Sequence, residues 1–473
     1  MDLSDRSHIA APLTAAPAAF TPTSAEVRPG GADWMAAHWM PFSGNRQFKA
    51  DPRLIVAADG AYLIDADGRR VFDGLSGLWC TGLGHTRREI VEAVQRQVAT
   101  LDYSPAFQFA HPLSFELANR IVERMPAGLN RVFFTGSGSE SADTSLKIAR
   151  AYWRARGQAS KTRLIGRAKG YHGVNFGGIS VGGIVGNRKT FGQTLEADHL
   201  PHTQPPAGAF FRGQPPADGG GVYPGAALAD ELLRLIELHD ASTIAAVIVE
   251  PFSGSAGVVV PPQGYLQRLR EICSAHDILL IFDEVITGFG RCGAWTGAEA
   301  FGVTPDILNF AKQVTNGVQP LGGVVVRQDI YDTFMAAGGP DYALEFPHGY
   351  TYSAHPVACA AGLASMRLLA QEDVPARVRA LAPVFEAAVH SLRGASAHLI
   401  DIRNYGLAAG LTLAPVPGEP LRRPFEVAMR MWAKGFYVRY GGDTIQLAPP
   451  FISTEADIDR LVDALGQTLR ELP

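Results

Sequence analysis

The spacing of hydrophobic positions changes along the chain. Residues 53–77, RLIVAADGAYLIDADGRRVFDGLSG, carry two short apolar runs broken at Asp-Gly pairs, which predicts a β-meander. From about residue 85, helical periodicity alternates with compact apolar runs. ELANRIVERM (116–125) has helical spacing, whereas RVFF (131–134), IAAVIVE (244–250), ILLIFD (278–283) and ILNF (307–310) read as strands. In SADTSLKIARAYW, Ala142, Leu146, Ala149 and Trp153 fall on one helical face, as do Leu266, Leu269, Ile272 and Cys273 in GYLQRLREICSAHD. Strand and helix in alternation predict βαβ units around a largely parallel sheet. After Ala354 helices dominate, and RNYGLAAGLTLAP, FYVRYGG and TIQLAPPF add short strands.

The fold class is therefore α/β. A large domain over 85–354 is joined by a smaller α+β domain built from both chain ends, 32–84 and 355–473. Residues 1–31, rich in Ala, Pro, Ser and Thr and closing on Pro-Gly-Gly, are expected to form a flexible N-terminal arm with order from Asp33 onward. The Pro- and Gly-dense stretch from Pro205 to Gly225 is expected to be a surface excursion.

Composition narrows the function classes. The 473 residues are 47% hydrophobic and 19% charged with net charge −4, so no basic excess points to nucleic acid. Cys80, Cys273, Cys292 and Cys359 are scattered without zinc spacing, which argues against a disulfide framework or a metal site and fits a reducing cytoplasm. No uninterrupted apolar stretch has the length of a membrane span.

Several strand ends carry chemistry. Lys312 stands at the exit of ILNF, before the loop residues Gln-Val-Thr-Asn-Gly, where open α/β sheets place ligands. Alone it reads as a lysine snorkelling to the surface. RVFF ends in Thr-Gly-Ser-Gly-Ser ahead of a helix, so the backbone N–H groups of Gly138 and Ser139 and the helix dipole favour an anion, above all phosphate. Asp283 closes ILLIFD and needs a cation, either an arginine or lysine or a protonated ring nitrogen. Glu250 closes IAAVIVE in the same way, and Tyr171-His172-Gly173 offers an aromatic face beside a glycine. An anion cradle, an aromatic plate, an acid for a ring nitrogen and an amine together define a pyridoxal phosphate site. Lys312 would form the Schiff base and Asp283 would keep the pyridine nitrogen protonated.

The strings FFTGSGSESADTSLKIARAYW, GRAKGYHGVN, IVEPFSGSAGV, LLIFDEVITGFGR, FAKQVTNG and HGYTYSAHPVACAAG resemble the class III, fold type I aminotransferases. HWMPF, SGLW, DYSPAFQFAHPLSF and FYVRYGGDTIQ carry the resemblance from about Asp33 to the end, and within the class to the β-alanine:pyruvate (ω-amino acid:pyruvate) transaminases. The resemblance implies a catalytic Lys312 with Asp283 as ring partner, a cofactor ring between Tyr171 and Val285, and phosphate contacts from Gly138 and Ser139. It also implies that Thr351 reaches the phosphate of a neighbouring subunit in a homodimer or homotetramer, and that Trp79, Arg439 and Gln446 contact substrate. Gly136 departs from the family, which usually carries Asn there.

The implied reaction moves an amino group from β-alanine or a related amine to pyruvate by ping-pong half-reactions, giving malonate semialdehyde and L-alanine. Arg439 would grip the carboxylate through two parallel hydrogen bonds, and Tyr103 and Phe107 would help Trp79 shape the pocket. Alternatives with the same cofactor are transaminases for 4-aminobutyrate, taurine or aromatic amines, an aminomutase and a decarboxylase. A dinucleotide-binding dehydrogenase is disfavoured because the glycine turn lacks its third glycine and leaves Lys312 and Asp283 without a role.

Overall fold

In the computed structural model, which describes residues 34–213 and 225–473, the N-terminal meander is β1 (Ile55–Asp59), β2 (Tyr62–Asp65) and β3 (Arg70–Asp73), paired antiparallel in sequence. The expected N-terminal arm, Asp33 and the middle of the Pro/Gly stretch lie outside the described residues.

The central sheet holds β4 (Leu129–Thr135), β5 (Arg163–Arg167), β6 (Ala197–Leu200), β7 (Ile244–Val249), β8 (Leu279–Asp283), β9 (Ile307–Phe310) and β10 (Gly322–Arg327), in the order β4-β10-β9-β8-β7-β5-β6. Strands β5 to β9 are mutually parallel, and β10 alone runs against its neighbours β4 and β9. Six strands therefore deliver their carboxyl ends to one edge. β7, β8 and β9 are buried along their whole length, which is why they read as unbroken apolar runs.

The helix after β4 spans Gly138–Ala155 and buries Ala142, Leu146, Ala149 and Trp153 against the sheet. Trp153 adds a hydrogen bond from its indole N–H to the Ala245 carbonyl at 2.8 Å. The helix read over 116–125 lies one turn earlier, at Pro112–Val122, because Pro112 is tolerated in the first helical turn.

A third sheet is β11 (Leu399–Tyr405), β12 (Ala408–Leu413), β14 (Arg439–Gly441) and β15 (Thr444–Leu447), in the order β11-β12-β15-β14. FYVRYGG is not a single strand. Its first part, β13 (Phe436–Tyr437), pairs in parallel with β3 of the meander, and the chain then passes through buried Val438 into β14. Arg439 thereby comes to lie at the junction of two sheets.

Candidate active site

Seven sequence-predicted residues, Gly138, Ser139, Tyr171, Glu250, Asp283, Val285 and Lys312, line one cavity of about 140 Å³ together with Gly173 and Ile286. They come from the carboxyl ends of β4, β5, β7, β8 and β9, so one sheet edge assembles the site.

Ser137 caps the helix after β4: its Oγ accepts the Glu140 N–H at 3.2 Å. The Glu140 carboxylate reaches back to accept the Gly136 N–H at 2.6 Å, leaving the next N–H groups of the first turn to face the cavity. A Cβ at Gly136 would sit 3.0 Å from the flexible Glu140 carboxylate oxygen, so the departure from Asn leaves the turn intact. Gly138 is tighter. A Cβ there would meet both Val285 methyls at 3.0 and 3.1 Å, so glycine lets the cradle approach Val285.

Tyr171 and His172 follow β5. The Tyr171 N–H donates to Glu250 Oε1 at 3.0 Å, which fixes the loop, and burial pushes the Tyr171 phenol up. Gly173 has φ 87°, and a Cβ there would lie 2.4 Å from Ser139 Oγ. Only glycine lets this loop close over the helix N-terminus, where Val174 N–H donates to Ser139 Oγ at 3.1 Å.

His172 is buried beneath the loop with Nδ1 2.8 Å from Asp283 Oδ2, and the Val285 N–H donates to Asp283 Oδ1 at 3.2 Å. Two donors thus hold the Asp283 carboxylate in a fixed orientation. Glu250 is pushed up by burial, against the pull of His172 and Arg167. Lys312 takes φ 51° directly after the extended Ala311, and burial lowers its pKa, opposed by Asp283, Cys80 and Glu250. Burial favours the neutral amine that a nucleophile or base requires.

The remaining predicted residues are placed differently. Arg439 lies outside the cavity lining, yet its charge acts on both Lys312 and Tyr171. Gln446 pairs with it across β14 and β15, fully buried, with Nε2 donating to the Ser255 carbonyl at 3.1 Å. Trp79 is buried at the end of a short turn, Ser76–Trp79, whose next residue Cys80 is electrostatically coupled to Lys312. Thr351 is exposed, away from this chain's own cavity, and its carbonyl accepts the Tyr103 hydroxyl at 3.2 Å. Tyr103 and Phe107 share that exposed face. Ile286 and Arg291 went unnoticed in the sequence. Ile286 looks like any core residue of DEVITG, and an arginine after GFG looks like surface.

The α/β fold with an amine, an acid and an anion cradle at one sheet edge defines a transferase of the pyridoxal phosphate type, and the chain belongs to the class III aminotransferases, whose family model matches residues 44–469. It is 61% identical to the beta-alanine–pyruvate aminotransferase of Pseudomonas aeruginosa over 97% of this chain and 98% of that relative. It is 60% identical to the omega-amino acid–pyruvate aminotransferase of Pseudomonas putida, covering 92% of this chain and 96% of the other. Among solved structures, an amine transaminase from an uncultivated Pseudomonas species in its PLP-bound form aligns with TM-score 0.83 at 36% identity, over 92% of this chain and 98% of that one.

Proposed function

We infer that the chain is a pyridoxal phosphate-dependent transaminase that moves the amino group of β-alanine, or a related ω-amino acid or amine, to pyruvate, yielding malonate semialdehyde and L-alanine. The observation that carries this reading is the single cavity shared by Lys312, Asp283, Tyr171, Val285 and the Gly138–Ser139 helix end. The residues present fit the cofactor: the helix N-terminus suits its phosphate, and the doubly held Asp283 suits a protonated ring nitrogen. Tyr171 and Val285 would flank the ring. When bound, pyridoxal phosphate supplies an aldehyde that condenses with amines and a ring that accepts the electron pair left by C–H cleavage.

The protein's part is proton movement and positioning. Lys312 Nζ, kept toward its neutral form by burial, takes the proton from the carbon bearing the donor nitrogen and delivers it again on the product side. Asp283, oriented by His172 Nδ1 and Val285 N–H, would keep the ring nitrogen protonated. Glu250 holds the backbone of Tyr171, whose side chain would flank the ring. Arg439 binds the carboxylate common to β-alanine, pyruvate and alanine, with Trp79 and Gln446 bounding the substrate side. Both substrates use one pocket, so the first product leaves before pyruvate enters, and the kinetics are ping-pong.

We place Thr351 against the phosphate of a neighbouring subunit in a homodimer or homotetramer. Its exposure, away from this chain's own cavity, supports that reading. We propose a cytoplasmic location, supported by four free cysteines. Among the described residues no helix is long and apolar enough to cross a membrane.

The test is an absorbance spectrum of the purified protein before and after β-alanine, then pyruvate. A visible band bleached by β-alanine and restored by pyruvate is the expected outcome. A band indifferent to β-alanine but bleached by another amine replaces the donor, and no chromophore after cofactor addition overturns the reading.

A further inference from the structure

The turn that carries Trp79 is held in a backbone shape that most side chains avoid. Ser76, Gly77 and Trp79 have φ angles of 50°, 64° and 69°, and only one of the three is glycine. A bulky residue at positive φ is an outlier, and such strain persists only where the surroundings impose it.

The surroundings here are a buried arginine and a buried acid. Arg291 Nη1 donates to the Leu407 carbonyl at 3.0 Å and the Pro449 carbonyl at 2.7 Å, and Nη2 donates to Ser76 Oγ at 3.0 Å. The Ser76 hydroxyl in turn donates to the Ala448 carbonyl at 2.7 Å. The guanidinium carbon lies 5.9 Å from the Trp79 ring centroid and 4.5 Å from that of Phe451. From the other side, Asp73 Oδ2 accepts the Gly77 N–H at 2.6 Å. No carboxylate forms an ion pair with Arg291 among the described residues. Burial pushes its pKa down to about 9, which still leaves a cation at neutral pH. A buried cation with no direct ion pair is costly even with the Asp73 charge nearby, and this one spends its donors on the turn and on the β12 and β15 ends that flank it.

We propose that Arg291 is a positioning residue that, through Ser76 and the face of Trp79, fixes the tryptophan that the transaminase reading assigns to the substrate, and so sets the preference for short carboxylate-bearing donors over bulkier arylalkyl amines. The proposal rests on the transaminase reading and gives Arg291 no part in the chemical step. Without the guanidinium the turn relaxes toward ordinary φ values, Trp79 leaves its place, and Cys80, the next residue and already half-buried, becomes more accessible.

The experiment compares holoenzyme carrying Arg291→Gln, Arg291→Lys and Ser76→Ala with the unaltered protein. One readout is labelling of Cys80 by N-ethylmaleimide, followed by peptide mass spectrometry. The other is kcat/KM for β-alanine against 1-phenylethylamine. In Arg291→Gln, with the visible cofactor band retained, Cys80 labelling is expected to rise about ten-fold and the donor ratio to fall about ten-fold, mostly through KM for β-alanine. Ser76→Ala moves both readouts the same way by a smaller factor, and Arg291→Lys lies between Gln and the unaltered protein. Unchanged labelling and donor ratio in a folded Arg291→Gln overturn the proposal, as does an equal loss for both donors. Should Arg291→Gln fail to fold, Ser76→Ala decides on the same two readouts. Failure of the unaltered protein to move nitrogen from β-alanine to pyruvate would overturn the transaminase reading instead, while Cys80 labelling still reports whether Arg291 holds the turn.

Discussion

Glu284 should make the protein less stable as pH rises from about 5 to 7. Its carboxyl is 1% exposed and pushed up by burial from 4.5 to about 7, in spite of hydrogen bonds from the Ala298 N–H at 2.7 Å, the Thr287 hydroxyl at 3.1 Å and the Gly297 N–H. Between those two values the folded chain keeps a proton that the unfolded chain has released. Folding free energy is then lost with rising pH at roughly 1.4 kcal/mol per pH unit, about 3 kcal/mol across the window, and no more is lost above it. Glu284→Gln has no proton to lose. Its unfolding free energy, from urea titrations followed by far-UV circular dichroism at constant protein concentration, should therefore change less with pH than that of the unaltered protein. The gap between the two curves should shift by about 2–3 kcal/mol between pH 5 and 7. Parallel curves would refute the reasoning, because every other titrating group is common to both proteins.

Lys312→Ala should lose the visible absorption band, and amino transfer to pyruvate, measured by alanine formation, should fall by at least about 10⁴-fold. Gly173→Ala combines a left-handed backbone penalty of about 1–2 kcal/mol with overpacking against Ser139 Oγ, 2.4 Å from the new Cβ. Spectroscopic titration should show cofactor affinity at least about ten-fold weaker, and unchanged affinity would mean that the loop yields freely. Thr351→Ala should weaken cofactor retention while light scattering still reports an oligomer, whereas wild-type retention would remove Thr351 from the phosphate site.

Much of this site could be read from the sequence because strand ends announce themselves. ILLIFD and IAAVIVE are buried on both faces until an acid closes each, and a carboxylate there demands an explanation. Lys312 drew notice for the same reason. The Ser137–Glu140 cap also has a local signature, since both partners lie within one helical turn. What escaped depends on contacts between distant segments. Arg291 meets Ser76 across 215 positions, and Phe436–Tyr437 leaves its neighbours to join β3, hundreds of residues earlier. No local period records either event. The division of FYVRYGG between two sheets was hidden as well, because Val438 carries no turn chemistry and is simply buried where the chain crosses.

The site residues share one further arrangement. Asp283 lines the cavity while Glu284, next in sequence, points away and holds the start of the Gly297–Phe301 helix. Lys312 lines it while Gln313 turns back, its Oε1 accepting the Gly82 N–H at 2.8 Å. Tyr171 lines it while His172 passes beneath and holds Asp283. At each strand end the chain presents one group to the ligand and sinks the next into the core: the alternation of extended chain does this at Asp283–Glu284, whereas Lys312–Gln313 achieves it in a tight turn that begins at positive φ. Each buried partner is polar and pays its desolvation only where its hydrogen bonds close, so it tolerates few alternative positions for its neighbour. A reacting group held this way loses little order when the substrate arrives, because its orientation was set during folding. Hence replacing Gln313 by a leucine of similar bulk should disturb Lys312 more than its remoteness from the cavity suggests, since it leaves the Gly82 N–H buried without an acceptor.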